Sequence, residues 1–511
     1  MKKLLLSLMM TAMPMTAIAE NQLSPQDIRA EVERIKLDAL DTFKEYLAIP
    51  NDGRKPDDIA MLADWVENAF STRGFEVSRL AEPENPLLYA KRMVPGADKT
   101  MLVYLQADGQ PVDPSAWYQE NPYGAVLRES DTNTWENGQW QDISWDSLKG
   151  DINPDWRIYA RSASDSKGPN IQFLMALDVL ENLGVTTDYN LKVVIDTEEE
   201  LSSPHLPQAV MDNREELAAD MLLIFDGPPH RSGGPTLSFG ARGITDLTLK
   251  TFGPKVAQHS GHFGNYAPNP AFQLVQLLAT MKNADGVVTI PGFYDGVEIT
   301  PDVQKILDDV PNNEEEMREK MGFSVVDKVA NSLEASIQYP SLNIRGMGSA
   351  WIGDQVRTII PPDATAEIDI RLVKESDPEY LMGLIKAHIE KQGYVVISEP
   401  PTDAQRMSGK RFVQMNHFTS YPAFRTDFDS LPGRFAKSAL THFNGSAPIM
   451  LRTMGGSIPI SPFVDTLDVP AVTVPTVNPD NNQHSPNENI RVGNFIDGIA
   501  TIAAVLAEKV E

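Results

Sequence analysis

In Leu191-Lys192-Val193-Val194-Ile195-Asp196-Thr197-Glu198-Glu199-Glu200 a short run rich in Val, Leu and Ile passes directly into three adjacent carboxylates. The run is too short for a helix and reads as a buried strand. Three neighbouring carboxylates at the end of such a strand repel one another unless a cation neutralises them. An exposed acidic turn is the other reading of the triplet, because charge runs are commonly just solvated.

Working outward, three more runs share this character: Met101 to Leu105, Met221 to Phe225 and Ala471 to Val477. Each leads into polar residues, namely Gln106 and Asp108, then Asp226, then His484 after a short loop. Helical patterns at Asn170 to Leu183 and Gln208 to Ala218 alternate with the strands. That alternation predicts an α/β fold with a doubly wound, mostly parallel sheet, whose ligands bind at the carboxyl ends of its strands. Asp108, Asp165, Asp226 and His484 then join the triplet on one sheet edge as the oxygen and imidazole donors that zinc uses.

At 511 residues the chain exceeds what one core organises, which predicts two domains or a large insert. Ser24 to Phe70 reads as capped, amphipathic helices covering the sheet. From 243 to 399 the order becomes strand, helix, strand, strand, helix, strand, with helices at Asn269 to Met281 and Asp377 to Gln392. This predicts an inserted α+β domain, leaving 20–242 and 400–511 as the two parts of a catalytic domain. Asp131 to Asp155 reads as a long loop and Glu314 to Glu319 as a solvated helical face.

The N-terminus joins a basic head, Met1-Lys2-Lys3, to an apolar stretch from Leu4 to Thr16 and a small-residue site, Ala17-Ile18-Ala19. This is the pattern of a signal peptide (1–19) cleaved after Ala19. The apolar stretch is shorter than the roughly 20 residues that span a bilayer, and Pro14 interrupts it. The expectation is an exported protein, periplasmic or extracellular, with no membrane attachment after cleavage. The absence of cysteine is compatible with export without requiring it. A net charge of -27 excludes nucleic acid as a partner, because polyanion binding needs a basic surface.

Six strings, in order, resemble the motifs of the carnosinase-like zinc metallopeptidases, the family of dipeptidases, aminoacylases, glutamate carboxypeptidases and diaminopimelate desuccinylases. They are Leu102 to Pro114 around Asp108, Tyr159 to Pro169 around Asp165, Thr197 to Pro204, Phe225-Asp226-Gly227, His259-Ser260-Gly261 and His484 to Glu488. The resemblance covers most of the mature chain. It implies that the insert is a ferredoxin-like lid or dimerisation domain and that the activity is hydrolysis of an amide or peptide bond.

Carried over position by position, the resemblance implies that Asp165 bridges two zinc ions, Glu199 is the general base, and Glu200 and His484 complete one zinc. Asp226 belongs to the other zinc, Asp108 matches the carboxylate that orients the family's first-motif histidine by accepting its ring N–H, and Glu198 has no assigned role. His259 is implied to cross a homodimer interface and stabilise the oxyanion in the neighbouring site. Arg371 is implied to bind the substrate's carboxylate, with Thr358 and the Gly455-Gly456-Ser457 loop lining the same pocket.

The chain also departs from the family. Gln106 stands where a histidine ligand is expected and Leu105 where a glycine is, so one metal loses its imidazole. Ala160, Ser162 and Ser202 replace further glycines. One firm zinc and a second, weak or substituted, site are expected. The leading expectation is a dipeptidase or carboxypeptidase acting on small peptides; the alternatives are an N-acyl amino acid deacylase and a catalytically degenerate peptide-binding relative.

Overall fold

The computed structural model describes residues 23–80, 85–130 and 139–510, so the expected signal segment and residues 131–138 of the expected loop lie outside the described residues. The larger sheet has eight strands in the order Glu76–Arg79, Leu88–Arg92, Asn190–Asp196, Thr100–Gln106, Met221–Ile224, Ala471–Thr473, Thr236–Ser238 and Ile449–Leu451. The central pairings, from Asn190–Asp196 across to Ala471–Thr473, are parallel, and antiparallel pairs lie toward both edges.

Continuous apolar runs arise here because both faces of the sheet are covered. Met101, Val103 and Leu105 pack into one core with the helices Pro25–Leu47, Lys167–Asn182, Leu431–Asn444 and Val492–Ala507. Leu102 and Tyr104 point the other way, into a second core with Leu206, Val210 and Phe463. The period of two along each strand therefore serves two layers at once. Ser24 caps the first helix as expected, its hydroxyl accepting from the Asp27 amide. Two expected elements are shorter than read. The 208–218 helix breaks at Asn213, between Leu206–Asp212 and Arg214–Leu217, and the last central strand ends at Thr473 rather than 477.

A small antiparallel sheet, ordered Asn489–Arg491, Arg157–Tyr159, Val126–Glu129 and Gln141–Asp142, stands beside the main one. Its first pairing brings together segments more than three hundred residues apart in sequence, including Ala160, whose amide donates to the Glu488 carbonyl at 3.2 Å. The described part of the expected loop contributes the strand Gln141–Asp142 and a short helical turn, Trp145–Lys149.

The insert is a five-stranded sheet ordered Asn343–Gly348, Asp363–Leu372, Gly243–Phe252, Arg411–Tyr421 and Tyr394–Ile397. Its first four strands are antiparallel neighbours in ferredoxin-like order, and Tyr394–Ile397 adds a parallel edge. The helices Pro270–Ala279 and Pro378–Lys391 cover one face through Leu274, Leu277, Leu381 and Ile385. Strict alternation of buried and half-buried residues along Gly243–Phe252 and Asp363–Leu372 leaves the other face open.

The expected boundary at 399 is corrected by this sheet. Arg411–Tyr421 belongs to the insert, and the chain returns to the catalytic domain only where Phe424 and Arg425 pair with Ala241 and Gly240. Only Phe412 and Val413 of that strand are fully buried, so its polar outward residues hide a strand period in the sequence.

Candidate metal centre

Asp165, Glu200 and His484 converge, each offering one ligand atom, with those atoms within 4.8 Å of one another. His484 Nε2 lies 2.9 Å from Asp165 Oδ2 and 3.5 Å from Glu200 Oε2. The three come from three loops: one leading into the helix Lys167–Asn182, one after the strand Asn190–Asp196, and one before Asn489–Arg491.

Each loop is held by buried hydrogen bonds. Glu488, 1% exposed, accepts from the Asp165 amide at 2.9 Å, from the Ser164 amide and hydroxyl at 3.0 and 2.9 Å, from the Ser162 amide at 2.9 Å and from Arg161 Nη1 at 2.8 Å. The motif His484 to Glu488 gives Glu488 no role in sequence; its position beneath the Asp165 loop is legible only in three dimensions. Ser162 and Ser202, which replace expected glycines, have φ of 62° and 67°, as does His484 at 61°. Non-glycine residues at such angles carry strain that the surrounding contacts must hold.

With Gln106 in place of the histidine that the family's matching carboxylate orients, Asp108 makes other bonds. Its carboxylate accepts the backbone N–H groups of Glu199 and Glu200, each at 3.0 Å, and so fixes the turn that carries both. Glu198 faces elsewhere, bonding His205 Nδ1 at 2.7 Å, so the triplet splits into one structural and two site carboxylates.

Gln106 does not present an oxygen to the cluster. Its Nε2 donates to Asp165 Oδ1 at 3.0 Å and contacts Ser166 Oγ at 2.8 Å, while Oε1 is buried without a hydrogen-bond partner. Ser166 in turn donates toward Asp226 Oδ1 at 3.1 Å. Asp226 is therefore tied to Asp165 through Ser166 and lies outside the three-residue cluster.

The electrostatics call for a cation. Burial, then Asp165, raise Glu200 to about 8, and burial, then Asp165, raise Asp226 to about 7. Burial with four neighbouring carboxylates holds Glu199 well above its ordinary range. Burial also pushes Asp165 upward, but hydrogen bonding and charge from His484 outweigh it, and His484 is raised to about 9 chiefly by its bond to Asp165. One imidazole thus faces several buried carboxylates, an imbalance that a divalent ion corrects. The donor set of two carboxylates and one imidazole fits zinc. Two amides that were not anticipated also support the ligands: Gln110 donates to Glu200 Oε2 at 2.7 Å and Gln483 to Asp165 Oδ2 at 3.2 Å.

Arg371 Nη1 donates to the Ser457 hydroxyl at 2.7 Å, while the Gly456 carbonyl accepts from the Arg242 amide at 3.1 Å. His259 and Thr358 form a separate pair of exposed neighbours, joined where the Ser260 amide donates to the Thr358 carbonyl at 3.0 Å. Among the described residues neither bonds to the cluster or to Arg371 of the same chain. Of the residues expected to line a pocket with Arg371, Ser457 bonds to it, whereas among the described residues Gly456 and Thr358 do not.

Residues 129–508 match the profile of peptidase family M20/M25/M40. The chain belongs to that family. It is 25% identical over 466 residues to the Cys-Gly metallodipeptidase dug1 of Schizosaccharomyces pombe, covering 88% of this chain and 90% of that protein. It is 26% identical over 365 residues to the human Beta-Ala-His dipeptidase, covering 70% of this chain and 69% of that one. Among solved structures, the M20 family metallo-carboxypeptidase Sso-CP2 from Sulfolobus solfataricus superposes with a TM-score of 0.74 at 25% identity, covering 92% of this chain and 98% of that one. The M20 chain described here is accordingly a metallopeptidase, a hydrolase of peptide bonds with an α/β catalytic domain and an inserted second domain.

Proposed function

We propose that this M20 peptidase is an exported, zinc-dependent dipeptidase acting on short peptides that carry a free carboxylate. The observation that carries the reading is the turn Glu199–Leu201, pinned by Asp108 beside the Asp165, Glu200 and His484 donors. Asp165, Glu200 and His484 would hold the ion, which when bound would supply Lewis-acid polarisation of the scissile carbonyl and a lowered pKa for water. Glu199 takes the proton of the attacking water and hands it to the leaving amine. A carboxylate within hydrogen-bond reach of the water suits both proton transfers. Arg371, aligned by Ser457, pairs with the substrate's carboxylate.

One firm zinc per chain is our reading, because Gln106 and Ser166 satisfy by hydrogen bonds the oxygens that a second ion shared by Asp165 and Asp226 needs. We further read His259 and Thr358 as serving the site of a second copy, which makes the active species a homodimer. Export is supported by the basic head, short apolar stretch and small-residue site of residues 1–19.

The test is hydrolysis by the mature chain, loaded with zinc, of a panel of dipeptides including Cys-Gly and β-Ala-His, beside N-acyl amino acids of the same C-terminal residue. Cleavage of dipeptides with slow or no deacylation supports the reading; no turnover of any dipeptide sinks it. Metal analysis, sedimentation and the N-terminal sequence of the native protein check the ion count, the dimer and the cleavage after Ala19.

A further inference from the structure

Gly243–Phe252, at the centre of the insert's sheet, pairs Ile244 with Arg371 on one side and with Tyr421 on the other. Directly paired residues share a face, so Arg371, Ile244 and Tyr421 form one row on the open side of the sheet. Cross-strand neighbours are about 5 Å apart, which sets the arginine and tyrosine backbones about 10 Å from each other.

The row lies at the seam between the domains. Register shifts between Ile244 and Thr245, whose partners are Tyr421 and Thr419, so Ser420 is an extra residue that re-aims the tyrosine. Gly243 permits the approach: a Cβ there would meet Tyr421 O, Pro422 C and Ala423 N at 2.6, 2.6 and 2.5 Å. Immediately beyond, Phe424 pairs with Ala241 of the catalytic domain. Tyr421 is half-buried, and among the described residues its hydroxyl makes no hydrogen bond. The phenol is raised by burial, then by Glu199, with Arg371 opposing.

A dipeptide whose carboxylate sits on Arg371 has its scissile carbonyl one residue further in, about 3.8 Å along the backbone toward Glu199. We propose that the Tyr421 hydroxyl donates a hydrogen bond to the oxygen of that carbonyl as it becomes tetrahedral, a catalytic oxyanion donor supplied within the same chain. The inference rests on the dipeptidase reading. It gives each subunit a donor of its own, independent of His259.

Tyr421→Phe, which keeps the ring and its packing, tests this on the zinc-loaded enzyme. Expected are a kcat about a hundredfold lower with KM within about twofold, and a similar loss of affinity for a phosphinic dipeptide analogue that mimics the tetrahedral carbon, while affinity for the product amino acid is unchanged. Tyr421→Gln, which restores a donor, is expected to recover at least about tenfold of the lost kcat. A phenylalanine variant within threefold of the parent, equal rates for Phe and Gln, or a loss confined to KM and product affinity overturns the assignment. Failure of the unaltered enzyme to cleave any dipeptide is a different result and overturns the underlying reading instead.

Discussion

Gln106 donates its side-chain amide to Asp165 at 3.0 Å, from the position where the resemblance expects an imidazole ligand. The amide N–H does for the carboxylate what a second cation would otherwise do. Gln106→His is therefore expected to raise the bound zinc from one toward two per chain, read by metal analysis after dialysis. A stoichiometry that stays at one would show that Ser166, not Gln106, closes that half of the centre.

Glu199→Gln keeps the turn and its two hydrogen bonds to Asp108, which are made by backbone atoms. Turnover is expected to fall by about 10²–10⁴-fold, the usual share of a general base, while zinc content stays within error. Metal loss in parallel with activity would argue that Glu199 helps hold the ion.

Glu488→Gln leaves Arg161 buried beside a neutral group, since the pair is 3% and 1% exposed. Breaking a buried ion pair by removing one partner costs about 3–5 kcal/mol, so a clear drop in thermal midpoint is expected. Zinc affinity should weaken as well, because the same carboxylate holds the Asp165 amide at 2.9 Å. A variant with the parent's midpoint and metal affinity would refute the anchoring role.

Chelation should make stability fall with rising pH. Glu200 and Asp226 have folded values of about 8 and 7, above their ordinary 4.5 and 3.8, and His484 is raised from 6.5 to about 9. Groups raised on folding contribute most below their unfolded values and lose that contribution as pH climbs through the folded ones. Denaturant midpoints of the chelated protein are expected to decline from about pH 5 to pH 9. Zinc should reverse the decline above pH 7, where the carboxylates it neutralises are ionised. A flat profile without metal would mean that these groups are not electrostatically stressed.

The parallel strands were legible in short apolar runs because covering a sheet on both faces removes polar alternation, and Met101 to Leu105 shows this plainly. Arg411–Tyr421 is not legible in the sequence, since exposed Asn416, His417 and Phe418 break its period and draw the expected end of the insert back to 399. The Asp131 to Asp155 stretch looked like a loop because its one described strand is only two residues long.

What the amino-acid order by itself determined is the donor set: carboxylates and an imidazole at strand ends, in motifs whose sequence and order resemble one metallopeptidase family. Tertiary structure alone decided which atoms those residues present. Asp108 holds backbone amides, Gln106 presents a nitrogen, Glu488 forms the floor of a loop some 320 residues away, and Tyr421 shares a cross-strand row with Arg371 across Ile244. Periodicity and spacing report only local burial. The direction of a side chain depends on which distant strand it pairs with, and here the junction of Asn489–Arg491 with Arg157–Tyr159 brings the two ends of the site together.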